Sequence, residues 1–236
     1  MRRAAVPTAD DFRARHRGGG LFTETINQRI GSYLCVFAYQ RGLAPTVLTL
    51  ANLVIGLGTS IAVVALATPM RQHEVPSAVV GLGALVLWQL AYSLDCADGQ
   101  LARVTGRSSA AGARVDILSD VALQISLVAA VSAVAARYHH IPVWLVAVFT
   151  GTWMVNLVTS VLAQTGAGQS LVASRALAVR VAKLVRDYGA VVTALALGIA
   201  FVPSWTVWLM VAFTVVNGGM LAASIAASAR ASLRSS

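Results

Sequence analysis

Asp95, Asp98, Asp116 and Asp120 crowd into one stretch of a chain that has only nine acidic residues among 236. If the apolar runs on either side are helical, Asp95 and Asp98 are i,i+3 neighbours and Asp116 and Asp120 are i,i+4 neighbours. Each pair then shares one helix face, and the short Gly- and Ser-containing link between the pairs lets the two faces meet. An ionised Asp near a bilayer centre costs on the order of 2.5–3.5 kcal/mol by insertion scales. Four of them together require cations. Clustered carboxylates are hard oxygen donors, and the chemistry they suit is the binding of Mg²⁺ or Mn²⁺.

The elements that must position these side chains read as membrane helices. The chain is 57% hydrophobic and 11% charged, with a mean hydropathy of +0.73, whereas a soluble domain carries roughly 25% charged residues. Several apolar runs are long enough to cross a bilayer, so composition predicts an all-α integral membrane protein of one domain. A net charge of +9 would suit nucleic acid, but the placement of the charges excludes that class. Seven of the eighteen basic residues precede residue 45, and most of the others fall in alternate loops. That is the positive-inside pattern. Cys35 and Cys96 lie far apart, and two free thiols are expected.

Taken in order, residues 1–20 are polar and basic, end in three glycines, and suggest a flexible tail. Between residues 21 and 42, Phe22, Ile26, Ile30, Leu34 and Phe37 recur three or four apart among polar residues, which predicts an amphipathic helix in the membrane interface. Six spans follow within residues 46–227, at about 46–67, 79–104, 111–136, 143–162, 188–201 and 205–227, and residues 229–236 form a C-terminal tail. Sixteen Lys and Arg fall in the two termini, the 103–114 link and the 175–186 segment; Arg71 and Arg137 alone fall in the other loops. This asymmetry predicts both termini and the acidic stretch on the cytoplasmic side of the cell membrane.

Written as spacing, the central stretch is Asp95-x2-Asp98-Gly99-x2-Ala102-Arg103-x8-Gly112-x3-Asp116-x3-Asp120. It matches, at each of eight fixed positions in 26 residues, the signature of the CDP-alcohol phosphotransferase (CDP-alcohol phosphatidyltransferase) family, class I, and the chain resembles that family over roughly residues 20–228. The resemblance implies a membrane enzyme of phospholipid biosynthesis. Such an enzyme moves a substituted phosphate from a CDP-alcohol, often CDP-diacylglycerol, to the hydroxyl of an acceptor and releases CMP. It implies that Asp95, Asp98 and Asp116 ligate a pair of divalent ions, Mg²⁺ or Mn²⁺, with Asp120 completing the site and serving as general base. Gly99, without a side chain, would let the nucleotide lie against its helix, and Arg103 would pair with a pyrophosphate oxygen. Ser109 lies where the family places a small hydroxyl near the nucleotide. Ala44, Pro45, Thr46 and Val47 resemble the Pro-containing start of the first span that borders the cytidine. Ala102 and Gly112 are structural positions of the motif, Gly112 permitting close approach of the second and third spans. A homodimer is expected from the resemblance alone.

Arg175, Arg180 and Lys183 recur at helical spacing near the cytoplasmic face. They suit lipid headgroups or a phosphorylated acceptor, such as an inositol phosphate or another small polar alcohol. Two other functions would also use clustered carboxylates. A membrane prenyltransferase holds Mg²⁺-pyrophosphate with Asp-rich motifs, but these normally lie far apart in the chain. A divalent-cation transporter would need acidic residues along its path, and spans four to six carry none.

Overall fold

Proline and capping residues set the ends of the long helices. The structure is a computed structural model describing residues 6–16, 20–164 and 187–235. Pro45 occupies the first turn of α3 (Pro45–Arg71), where its missing N–H costs nothing. Pro76 precedes α4 (Ser77–Thr105), and Gly106 closes that helix in the left-handed region at φ 66°, the conformation that glycine adopts without penalty. Ser109 then caps α5 (Ala110–Tyr138), its hydroxyl accepting a hydrogen bond from Gly112 N–H. Beyond these lie α6 (Val143–Gln164), α7 (Tyr188–Phe201), a 3₁₀ turn (Pro203–Trp205) and α8 (Thr206–Ser235). Every regular element among the described residues is helical, as expected for a chain that must satisfy its backbone polar groups within lipid.

By length and composition, four helical stretches can cross a membrane: Pro45–Arg71, Ser77–Thr105, Ala110–Tyr138 and Pro203–Ala223. Two shorter apolar stretches, Val143–Val155 and Tyr188–Phe201, accompany them. Fourteen residues of α7 extend about 21 Å, less than the roughly 30 Å of a hydrocarbon core. The chain is a multi-pass α-helical membrane protein. Arg175, Arg180 and Lys183 lie outside the described residues.

The first half of the chain forms the scaffold of the acidic stretch. Helix α3 packs along both α4 and α5, and α4 also packs on α7. Small residues permit the close crossings. A Cβ at Gly81 would lie 2.3 Å from the Ala200 nitrogen of α7, and one at Gly56 would lie 2.5 Å from Leu123 Cδ2 of α5. The large core (Val63, Trp88, Val131, Phe149, Trp153 and Phe213 among its members) fills the end of the bundle where α3 stops and α4 starts. There Trp153 stacks on Phe213 at 4.4 Å between centroids. A smaller cluster of Phe12, Cys35, Ala38, Leu48, Ala97 and Leu101 fills the opposite end, beside the aspartates.

The N-terminal region departs from the sequence expectation in two ways. Within the stretch that composition assigned to a flexible tail, Ala9–Arg13 forms helix α1. Thr8 N–H and its hydroxyl both donate to Asp11, at 2.8 and 2.7 Å, and these bonds hold the Asp11 carboxyl below the usual carboxylate range. Phe12 is fully buried; a single aromatic among polar neighbours gives no periodicity for a sequence reading to detect. The amphipathic segment is helical, but it opens with a π-helical turn (Thr23–Asn27) before α2 (Gln28–Gln40). Its small and polar residues Gln28, Gly31, Ser32, Cys35 and Ala38 face the protein, while Ile26, Ile30, Tyr33 and Phe37 are exposed. A Cβ at Gly31 would meet Ser93 O at 3.0 Å, so α2 lies almost backbone to backbone on α4.

Candidate active site

The acidic residues converge as their spacing predicts. Asp95 and Asp98 sit on consecutive turns near the end of α4, and Asp116 and Asp120 near the start of α5. One oxygen each from Asp95, Asp98 and Asp116 lies within 4.8 Å of the other two. Asp120 faces Asp95 closely enough for their carboxyl groups to share a hydrogen bond. Asp98 is buried and the other three are half-buried. Carboxylates brought this close repel one another unless a cation or a proton lies between them. The donor set is all oxygen, and its convergence fits a divalent hard cation.

Helix α3 fixes the orientation of two of these groups. The Thr49 hydroxyl donates to Asp98 Oδ2 at 2.5 Å, and Asn52 Nδ2 donates to Asp95 Oδ1 at 3.3 Å. Both residues are buried. Asn52 thereby joins α3 to α4, and the sequence reading did not single out Thr49. The signal was the spacing: Thr49 and Asn52 are i,i+3 neighbours in a largely apolar span and so share a face.

Gly99 and Arg103 lie one turn apart on α4, and a Cβ at Gly99 would lie 2.9 and 3.2 Å from the two terminal nitrogens of Arg103. The glycine therefore gives the guanidinium a seat on the helix surface. Arg103 is within electrostatic reach of Asp116, and its Nε donates to the Arg15 carbonyl at 2.6 Å. Ala102 is half-buried beside it.

Other expected positions have more local roles. Ser109 is exposed and engaged as the cap of α5, accepting from Gly112 N–H at 3.0 Å. Gly112 does not mark a close approach of α4 and α5: a Cβ there would meet only the Ser109 hydroxyl, at 3.1 Å, among the described residues. Helix α3, which packs along both α4 and α5, joins the two instead. Pro45 opens α3, with Ala44, Thr46 and Val47 exposed around it.

One buried acid escaped the sequence reading. Asp187, just before α7, accepts from Phe22 N–H at 2.8 Å, Thr23 N–H at 3.1 Å and the Thr23 hydroxyl at 2.5 Å. It ties the start of the π turn to α7. Beside it the Tyr188 and Tyr92 rings meet edge to face at 4.8 Å, with Tyr92 one turn before Asp95.

A family model described as CDP-alcohol phosphatidyltransferase matches residues 42–223. The chain belongs to that family. No curated protein matches it. A CDP-alcohol phosphatidyltransferase is a transferase of substituted phosphate groups from a CDP-alcohol to an alcohol acceptor, and such enzymes typically use divalent metals. The match spans α3 through most of α8 and thus the whole acidic stretch; α1, the π turn and α2 lie before it.

Proposed function

We propose that this phosphatidyltransferase moves the phosphatidyl group of CDP-diacylglycerol to the hydroxyl of a small polar alcohol and releases CMP, as a step of phospholipid biosynthesis at the cytoplasmic face of the cell membrane. The observation that carries the proposal is the convergence of Asp95, Asp98 and Asp116 oxygens within 4.8 Å, with Asp120 alongside. These four carboxylates would hold two Mg²⁺ or Mn²⁺ ions. When bound, such ions neutralise the diphosphate and stabilise both the attacking and the leaving oxygen of an in-line displacement.

The chain's own groups do the rest. Asp120 accepts the proton of the acceptor hydroxyl. The acceptor oxygen bonds to the phosphorus distal to cytidine while the bond from that phosphorus to the bridging oxygen breaks, and CMP carries away the electron pair. Arg103 binds a diphosphate oxygen through its planar fork, Gly99 gives that guanidinium room on the helix face, and Ser109 and the Ala44–Val47 turn border the nucleotide. Thr49 and Asn52, through their hydrogen bonds, would fix Asp98 and Asp95 for holding such ions. The acyl chains of the donor suit a site flanked by lipid-length helices whose outer faces expose Val47, Leu50, Val54, Ile117 and Leu118.

Six crossings, with α6 and α7 completing the four longer spans, put both termini on the side of the basic loops. The exposed Ile26, Ile30, Tyr33 and Phe37 lay the amphipathic helix in the interface. Arg175, Arg180 and Lys183 carry the positive charge that a phosphorylated acceptor such as an inositol phosphate would need. A homodimer is the assembly that the family resemblance suggests.

The test is CMP release by purified protein given CDP-diacylglycerol, Mg²⁺ or Mn²⁺ and a panel of alcohols. Asp120→Asn should lower kcat by about 10²–10⁴-fold while leaving metal-dependent CMP binding in place. Comparable turnover in that variant removes Asp120 as the base. Pyrophosphate in place of CMP as the product would contradict the proposal as a whole.

A further inference from the structure

Helix α1 lies outside the family-matched residues 42–223, yet it reaches the motif arginine. Phe12, fully buried, is the side chain that seats it. Phe12 belongs to one cluster with Cys35 and Ala38 of α2, Leu48 of α3, and Ala97 and Leu101 of α4, and its ring meets Tyr39 edge-on at 6.2 Å. Ala97 directly precedes Asp98, and Leu101 lies between Gly99 and Arg103. The Thr8–Asp11 capping box fixes the start of the short helix. Three residues beyond Phe12, the Arg15 carbonyl accepts from Arg103 Nε at 2.6 Å. With Nε so held, the two terminal nitrogens lie over the bare face of Gly99.

We propose that Phe12 is a positioning residue for the donor site. By seating α1 against α2, α3 and α4, it places the Arg15 carbonyl on Arg103 Nε and holds the guanidinium over Gly99 in the orientation that receives the diphosphate of the CDP-alcohol. An isolated helix of five residues is unstable in water, so this orientation depends on burial of the aromatic anchor. An arginine on an unconstrained stem spends rotamer freedom each time it binds; one already held by Nε spends less, and the difference appears in donor affinity. The proposal rests on the assignment of Arg103 to the diphosphate.

Cys35 provides a readout independent of turnover. It is fully buried in the same cluster as Phe12, its Sγ donates to the Ala97 carbonyl at 3.0 Å, and burial pushes its thiol up to about 12. In the full-length wild-type enzyme it should resist a maleimide, followed by peptide mass spectrometry. Phe12→Ala should speed Cys35 alkylation and raise the KM for CDP-diacylglycerol about tenfold, with kcat at saturating donor within about twofold. Phe12→Leu should restore both, and in an Arg103→Ala background Phe12→Ala should add less than about twofold. Thr8→Ala, which removes only the exposed cap, should move both readouts the same way by a smaller factor, and it decides the matter if Phe12→Ala does not fold. The proposal is overturned if Cys35 opens and the donor KM does not change, if Cys35 stays protected, or if the KM effect persists in full without Arg103. An unchanged donor KM in Arg103→Ala alone would instead remove the diphosphate assignment beneath the proposal; the other failures leave that assignment standing.

Discussion

At the scale of single residues, the site depends on neutral donors as much as on its acids. A carboxylate free to rotate presents either oxygen to an ion, and the Thr49 and Asn52 hydrogen bonds remove that freedom from Asp98 and Asp95. Partners of metal-binding groups typically account for about 10–100-fold in metal affinity or activity. Thr49→Val keeps the shape and deletes the donor, so the Mg²⁺ concentration for half-maximal activity should rise by about that factor, and Thr49→Ser should stay near wild type. An unchanged Mg²⁺ requirement in Thr49→Val would separate Thr49 from the metal site. The aspartates, Gly99 and Arg103 were legible from sequence because their spacing is rigid and charge inside apolar runs is conspicuous. Thr49 was not, because a hydroxyl in a membrane helix ordinarily bonds its own i−4 carbonyl; only the fold shows Asp98 opposite it. Gly112 shows the reverse case. Its place in the motif invited a packing role, and the structure gives it a cap hydrogen bond to Ser109.

At the scale of elements, Pro45, Pro76, Gly106 and Ser109 set ends of α3, α4 and α5, since each satisfies or terminates a helix end for a local reason. Local reasons do not reveal contacts between distant segments. Asp187 clamping Thr23 and Phe12 docking beneath α2 both join stretches far apart in the chain, and neither has a periodic signature. The orientation of α2 shows the same limit: its periodicity marks two faces, and the fold alone shows the small-residue face on α4. The α4–α7 crossing holds the α4 scaffold of the site and has the least spare room. A Cβ at Gly81 would meet the Ala200 backbone at 2.3 Å, with Ser77 Oγ bonded to the Ala200 carbonyl at 3.0 Å nearby. Backbone cannot rotate aside as a side chain does, so Gly81→Leu should destabilise the protein by about 1–3 kcal/mol or more through overpacking, seen as a lower melting temperature in detergent. By contrast a Cβ at Gly83 meets nothing within 4 Å, and Gly83→Leu should melt near wild type. Equal melting temperatures for the two variants would contradict the close crossing.

At the scale of the whole molecule, two packing regions share one bundle. A large apolar core fills one end, and the smaller cluster with its adjoining acidic site occupies the other. Under the proposed function the separation has a physical reason: four carboxylates that would hold ions and a diphosphate need access to water, whereas the acyl chains of a lipid donor would need the apolar flank. The membrane class followed from composition, and the position of the site followed from charge placed between spans. We propose that Asp95, Asp98, Asp116 and Asp120 together hold divalent ions. Anomalous diffraction from crystals grown with Mn²⁺ and CMP tests it most directly. Manganese peaks should appear enclosed by these four carboxylates and be lost in Asp95→Ala; manganese bound elsewhere, with the four side chains turned apart, would overturn the assignment.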